Sequence, residues 1–355
     1  MGSPQEHIRM VAISVIIVNY NGGAFLQQAL DSLRAQTFRD FEVLLVDNAS
    51  TDGSMETLNS EGVPGYRILP QTENLGFAAG NNVAARLSDA DWLVLFNPDA
   101  IANPDWLERV VSATQRNPCT NMFACAQYAL EDPAIMDGAG DCYLGLGIPW
   151  RGGFGLRAEP LAEGECFSPC GASAVFRRSV FDAHGGFDER FFCYCEDVDL
   201  GYRMRLAGER CVFVPDAIIR HAGSGISGRA SEFAIFHGTR NRIWTYAKNT
   251  PALMLWLTLP GHVAITLAIL LRGFATGRAG PTWRGIQAGL AGLGTLKKDK
   301  RFGPPKRVAS LGKIASAMAW NPKRLLDRRP VIRPLEKRPK NTTGMAITKG
   351  DHAGG

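Results

Sequence analysis

Three carboxylates fall within four positions at Glu196, Asp197 and Asp199, behind the run Phe191-Phe192-Cys193-Tyr194-Cys195 and ahead of Arg203. Acids this close raise one another's pKa unless a cation or donor intervenes, so the cluster can hold a general base near neutrality. The same acids suit the first turn of a helix, where the helix dipole favours negative charge. Asp199 and Arg203, one helical turn apart, would then pair and hold the local geometry.

A second chemical group is Asn97-Pro98-Asp99, directly after the apolar run 92–96. A carboxylate just past a buried strand, with proline fixing the turn, can hold a hard divalent ion. Such an ion would neutralise charge on a diphosphate leaving group. Asn19-Tyr20-Asn21-Gly22-Gly23 offers amides and a phenol ring, which suit a base or ribose. Asp47 can accept a hydrogen bond from a pyrimidine N–H, or cap a turn. Asn74, Gly76, Gly80 and Asn81 combine side-chain amides with glycines that allow close backbone approach.

These groups need elements to hold them. Residues 13–18 form a continuous β-branched run, as a strand buried on both faces requires. Apolar residues then recur with helical spacing from Phe25 to Leu33. Residues 43–46, 66–69 and 92–96 read as further strands, 55–58 as a helix start and 83–87 as a short helix. Strands alternating with helices predict an α/β chain with a largely parallel sheet. Ligands of such sheets bind beyond the carboxyl ends of the strands, where Asn19, Asn21, Asp47, Asn97 and Asp99 fall. No G-x-G-x-x-G follows the first strand and no Walker A loop is present, which argues against a nicotinamide, flavin or P-loop site.

The 355 residues carry a net charge of +5 that hides an asymmetry. With 17 arginines, no lysine and 29 acids, residues 1–231 stand at −12; with 22 basic and 5 acidic residues, 232–355 stand at +17. The basic half would face an anionic surface. Residues 1–10 are polar and the apolar run 11–18 is too short for a secretory signal, so the eight cysteines are expected reduced.

Residues 252–271 contain no Asp, Glu, Lys or Arg. As a helix they would reach ~30 Å, the hydrocarbon thickness of a bilayer. Pro260-Gly261-His262 at the centre predicts a kink or break. Basic residues flank both sides, so an interfacial or re-entrant helical hairpin is expected rather than a single span. Residues 286–296 offer a second, shorter contact. Residues 233–246 read as a helix carrying His237, Arg240, Asn241, Arg242 and Trp244. Prolines and basic residues from 304 onward predict a largely disordered tail.

In order and spacing, ISVIIVNYNGG, EVLLVDNASTDGS, TENLGFAAGNN, LFNPDA, GGFDERFFCYCEDVDL and VPDAIIRHAGSGIS resemble the family 2 glycosyltransferases. The resemblance runs from about residue 12 to 221 and is strongest to the rhamnosyltransferase-like and galactofuranosyltransferase-like branch. It implies a GT-A nucleotide-sugar transferase fold over residues 10–231, a helical membrane-associating region over 232–303 and a tail over 304–355.

By the same resemblance Asp197 is the catalytic base, with Glu196 a neighbour able to share the role. Asn19, Tyr20, Asn21, Asp47, Asn74, Gly76, Asn81, Asn97 and Asp99 bind the nucleotide sugar. Asn97-Pro98-Asp99 takes the place of the family's D-x-D motif, with Asn97 where the first acid stands. Asp99 and His221 would hold a divalent metal, Mn²⁺ or Mg²⁺. The implied activity is inverting transfer, dTDP-rhamnose being the favoured donor. The implied acceptor is a lipid-linked saccharide in cell-envelope polysaccharide synthesis. The work would be done at the cytoplasmic face of the inner membrane, with no nucleic acid partner. The alternatives are a sugar-nucleotide nucleotidyltransferase and a degenerate saccharide-binding scaffold. The former lacks its basic, glycine-rich loop after the first strand, and the latter rests on Asn97 alone.

Overall fold

A computed structural model describes residues 11–223, 231–296 and 301–335. The β-branched run forms β1 (Ile13–Asn19), buried throughout. It is followed by α1 (Gly23–Arg34), β2 (Phe41–Asp47), β3 (Arg67–Pro70), α2 (Gly76–Arg86) and β4 (Trp92–Leu95). β1 pairs in parallel with β2 and β4, and β2 in parallel with β3. This is the alternating pattern read from the sequence.

Two local expectations differ. Residues 55–58 form a turn rather than a helix start. Asp52 there accepts from the Ser54 amide and hydroxyl and from the Gly23 amide, which offers the backbone an alternative to helix. The helix read over 83–87 begins earlier, at Gly76. Its small residues permit this: a Cβ on Gly80 would lie 2.7 Å from Val18 on β1, so only glycine lets α2 lie so close.

The chain continues through β5 (Ala100–Ala102), α3 (Trp106–Arg116), β6 (Met122–Ala129), β7 (Met136–Ala139), β8 (Asp141–Leu144), β9 (Ile148–Arg151), β10 (Gly164–Cys166) and β11 (Ala174–Arg177). Then come α4 (Arg178–Ala183), α5 (Glu196–Leu206) and β12 (Cys211–His221). The main sheet runs β10-β12-β6-β11-β4-β1-β2-β3. β11 enters antiparallel between β4 and β6, beyond which β6 and β12 run parallel. Apolar clusters cover both faces.

α5 is buried along its whole length although it carries three acids and two arginines. Buried charge must be matched. Arg203 pairs with Asp199 at 2.9 Å, as their spacing predicts, and donates to the Gly186 carbonyl. Arg205 pairs with Glu165. The remaining match comes from α6 (Glu232–Asn249): Lys248 bridges Asp199 at 2.9 Å and Asp188 at 2.7 Å, and Asn249 donates to Asp199.

α7 (Ala252–Ala275) and α8 (Ala279–Leu296) follow, joined by a short turn and in contact. α7 passes through Pro260 without a break. Its docked face explains the continuity: Thr258 bonds the Tyr246 hydroxyl at 2.8 Å, and His262 stacks on the Tyr246 ring and bonds the Leu146 carbonyl. The polar residues Thr258, His262 and Thr266 thus face inward, while Trp256, Leu257 and Phe274 are more than 70% exposed. Among the described residues α7 is the one helix long and apolar enough to cross a membrane.

The tail differs from the expected disorder over residues 304–335. α9 (Leu311–Ala317) and α10 (Pro322–Leu326) form there. Ile314, Ala317 and Met318 pack with Tyr143, Phe167, Val198 and Tyr202, and Arg333 exchanges backbone bonds with Glu165. A few well-spaced apolar residues suffice, which basic composition conceals. Residues 336–355 lie outside the described residues.

Replacing Lys248 with Met should leave Asp188 and Asp199 buried without their shared cation. The expected loss is about 3–5 kcal/mol of unfolding free energy. It would be read from urea midpoints beside Lys313→Met on the exposed face of α9; equal midpoints for the two variants would refute the clamp.

Candidate active site

A cavity of ≈ 520 Å³ opens beyond the carboxyl ends of β1, β2 and β4. Tyr20, Asn74, Gly76, Asn97, Asp99, Glu196, Asp197 and His221 all line it. The structure therefore brings together residues scattered over 200 positions of sequence. Asn19, Asn21, Asp47 and Asn81 stand behind or beside the cavity. Asn19 donates to Ser50, Asn21 accepts from the Thr51 amide, Asp47 accepts from the Ser50 amide, and Asn81 bonds the Phe77 carbonyl. The first three fix the turns after β1 and β2, and the Asn81 bond lies within α2.

β12 brings His221 to Asp99. Its end pairs antiparallel with β5, putting His221 opposite Ala100. His221 Nε2 then lies 3.1 Å from Asp99 Oδ1 and 3.1 Å from Asn97 Nδ2. On the far side of the ring, Nδ1 donates to Asp137 Oδ2 at 2.8 Å. Asp137 also takes Arg151 at 2.6 Å.

This arrangement tests whether a metal fits. With Nδ1 protonated toward Asp137, Nε2 of a neutral ring presents a lone pair to the Asp99 carboxylate. Two acceptors 3.1 Å apart require a proton or a cation near them. Burial works against the charged ring, but the bonds to Asp137 and Asp99 and the Asp99 charge outweigh it and raise the His221 pKa. A carboxylate backing the imidazole is also the usual support of a histidine metal ligand. The donor set of carboxylate and imidazole suits a divalent ion such as Mn²⁺, so the residues present fit one.

The acids at the start of α5 are held differently. Asp197 Oδ2 accepts from the Gly171 amide at 2.7 Å and Oδ1 from the Val198 amide at 2.7 Å. Burial raises its pKa; these bonds and the Arg151 charge pull it back, leaving it above the ordinary aspartate value. Glu196 is pushed well above its ordinary value by burial and by Asp197, and Asp141 likewise. Asp197 is thus the acid with two backbone donors to support its ionised form, beside two acids whose pKa burial raises well above the ordinary value.

The loop before α5 is strained. Phe192, Tyr194 and Cys195 all have positive φ, at 65°, 73° and 66°. Non-glycine residues hold this region only where the surroundings impose it. Here Asn241 of α6 donates through its amide to the carbonyls of Phe191, Cys193 and Tyr194 at 2.7–2.9 Å. Phe192 in turn reaches over Gly76.

Sequence reasoning missed Asn48, Asp137, Asp141, Arg151 and Cys170. Asn48 lines the cavity and bonds the Gly76 carbonyl. Asp141, Cys170 and Asp197 gather to within 4.8 Å. Asp137 and Asp141 flank Gly138-Ala139-Gly140 in strands of four residues, too short to show a period. Two acids four apart beside a glycine pair were the available signal.

Residues 14–185 match the family model described as Glycosyl transferase family 2. An N-acetylglucosaminyl-diphospho-decaprenol L-rhamnosyltransferase of Mycobacterium tuberculosis is 33% identical over 251 residues, covering 63% of this chain and 81% of the relative. An O-antigen biosynthesis protein of Myxococcus xanthus is 33% identical over 218 residues, 59% of this chain and 17% of that protein. Among solved structures, the Pyrobaculum calidifontis mannosyltransferase in complex with GDP-Man and Mn²⁺ superposes with a TM-score of 0.51 at 18% identity, covering 87% of this chain and 79% of that one. Staphylococcus aureus TarS with UDP-GlcNAc gives 0.54 at 16% identity, covering 80% and 83%. At such identities the likeness is one of fold, and the fold is GT-A.

Gly76 has φ +81°, and a Cβ there would lie 2.6 Å from the Phe192 ring and carbonyl. Gly155 has φ +76° with open space around it. Gly76→Ala should cost about 1–3 kcal/mol and clearly more than Gly155→Ala in thermal unfolding. Equal losses would mean that Phe192 yields freely and that its loop is not seated on α2.

Proposed function

This chain belongs to glycosyl transferase family 2, and from that membership we propose that it is an inverting enzyme of polysaccharide synthesis. It transfers a sugar, rhamnose from dTDP-rhamnose in the favoured case, to a hydroxyl of a lipid-linked saccharide. The observation that carries this reading is Asp197: ionisable, buried, fixed by two backbone amides and open to the same cavity as Asp99 and His221.

The donor diphosphate lies toward Asn97, Asp99 and His221, and the nucleoside toward Tyr20, Asn48, Asn74 and Gly76. A divalent ion, when bound, would be held by Asp99 and His221 with Asp137 orienting the ring, and would neutralise the diphosphate. Asp197 accepts the proton of the acceptor hydroxyl. The acceptor oxygen bonds to the anomeric carbon as the bond to the diphosphate breaks, and the electron pair leaves with the nucleoside diphosphate. A single displacement from the opposite face inverts the configuration. Glu196, next to Asp197 at the start of α5 and lining the same cavity, is the neighbour able to share the role.

The rhamnosyl preference and the lipid-linked acceptor rest on the Mycobacterium tuberculosis relative, whose name states both. Placement at the cytoplasmic face of a membrane rests on α7, which turns its apolar residues outward and its threonines inward. Water would oppose that orientation and a bilayer favours it.

Asp197→Asn keeps the shape and removes the proton acceptor. Turnover should fall by about 10²–10⁴-fold with nucleotide affinity kept, and Glu196→Gln should be milder. In the wild type the raised Asp197 pKa sets the acid limb: kcat/KM should fall as pH drops through a midpoint above the ordinary aspartate value. A near-normal rate in Asp197→Asn would remove the assignment.

Transfer from dTDP-rhamnose should stop in chelator and return with Mn²⁺ or Mg²⁺. Transfer from UDP-sugars alone would overturn the donor, and full activity in chelator would overturn the metal. Trp256→Glu with Leu257→Lys should release the protein from anionic vesicles in a sedimentation assay without lowering its melting temperature; unchanged sedimentation would refute the membrane face.

A further inference from the structure

Three cations project from the middle and end of α6, and two of them are fully engaged. Arg240 donates to the Arg190 and Phe191 carbonyls and to Asn241, and lies over the Trp244 ring. Lys248 bridges Asp188 and Asp199. Arg242, between them, is 6% exposed, yet neither Nη1 nor Nη2 has a hydrogen-bond partner among the described residues. No ion pair forms at Arg242 among those residues either. A guanidinium buried without an anion is strongly disfavoured, and five donors in a rigid fork match a phosphate.

Arg242 stands where two cavities meet. On one side it lines the catalytic cavity with Tyr194, Glu196 and Asp197. On the other it lines a second cavity, ≈ 320 Å³, together with Arg272 and Arg278 from the end of α7 and the turn beyond it. Gly238 borders both, and a Cβ there would meet open space. Farther along α7 an apolar cavity of ≈ 910 Å³ is lined by Leu259, Val263, Leu267, Leu290 and Leu293. An anionic position is therefore framed by the catalytic base on one side and by hydrocarbon-lined helices on the other.

We propose that Arg242, with Arg272 and Arg278, binds the diphosphate of a prenyl-diphosphate-linked saccharide acceptor. The saccharide then lies in the catalytic cavity beside Asp197, and the prenyl chain follows the α7–α8 face. This deepens the lipid-linked-acceptor reading given above and rests on it. The donor diphosphate belongs with Asn97, Asp99 and His221, which stand at the ends of β4 and β12. Arg242 thus separates acceptor phosphate from donor phosphate within one enzyme.

The test is direct binding to the full chain in detergent, by calorimetry, with farnesyl diphosphate, inorganic pyrophosphate, dTDP and UDP as probes. Farnesyl diphosphate should bind more tightly than pyrophosphate. Arg242→Gln should weaken it by at least about tenfold, as loss of a charge-assisted bidentate contact requires. The affinity for dTDP or UDP should stay within about twofold. An unchanged farnesyl diphosphate affinity in Arg242→Gln overturns the proposal. So does an equal loss for the nucleotides, which would assign Arg242 to the donor. Pyrophosphate binding as tightly as the prenylated probe overturns the lipid source.

Arg272→Gln with Arg278→Gln, exposed at the end of α7 and on the turn beyond it, supplies a second variant that leaves the core intact. It should weaken farnesyl diphosphate by about threefold or more, and no change would overturn their part in the site. These readouts do not require sugar transfer. Failure of the transferase reading would appear instead as absence of turnover in a wild type that still binds the prenyl diphosphate.

Discussion

The buried carboxylate of Asp199 is the constraint on which the rest of this molecule depends. It sits in a helix that is enclosed on every side, and a lone charge there would be intolerable. Arg203, Lys248 and Asn249 surround it, two of them from α6. α6 is therefore not an appendage of the sugar-transferring domain. It closes the charge balance of the helix whose first turn carries Glu196 and Asp197. The same helix grips the strained loop before those acids through Asn241. Strain of this kind persists only where neighbours over-determine it, and here the neighbour is the element that leads to α7 and α8.

Two electrostatic environments meet across one cavity. At the strand ends, Asp99, His221 and Asp137 alternate acid, imidazole and acid, an arrangement that favours positive charge at its centre. Around the start of α5, Glu196, Asp197 and Asp141 of β8 compete for protons, and burial is the largest influence on each. Backbone donors from Gly171 and Val198 single out Asp197 as the group best able to ionise. Positive charge is thus favoured at one cluster and proton acceptance at the other.

α7 reverses the usual order of a surface helix. Its threonines and histidine pack on Tyr246 and Leu146, and its leucines, tryptophan and phenylalanine face outward. The docked polar stripe lies beside Pro260, where composition predicted a kink or break and the helix runs on without a break. Helix continuity there depends on tertiary contacts, because proline removes a backbone donor but cannot remove a neighbouring face to dock on.

The sequence by itself determined the family, the α/β alternation and the residues at the strand ends. Long β-branched runs such as Ile13–Asn19 are legible because burial on both faces leaves no alternation to confuse. Asp197, Asp99 and His221 stood in motifs whose order resembled a known family, and the chain matches that family. Only the tertiary structure decided which of these residues meet. His221 reaches Asp99 because β12 pairs with β5, and Asp137 and Arg151 join them from strands of four residues with too little length to carry a pattern. Asn19 and Asn81 read as ligand amides in the sequence; in the fold Asn19 donates to the Ser50 hydroxyl and Asn81 to the Phe77 carbonyl. The tail over residues 304–335 reads as disordered by its charge and is ordered by apolar residues such as Ile314, Ala317 and Met318, which pack with α5, and Ala319 and Val331, which pack with β8 and β9. In each case the deciding term is a contact between distant parts of the chain, whose energy depends on burial and pairing that local composition does not contain.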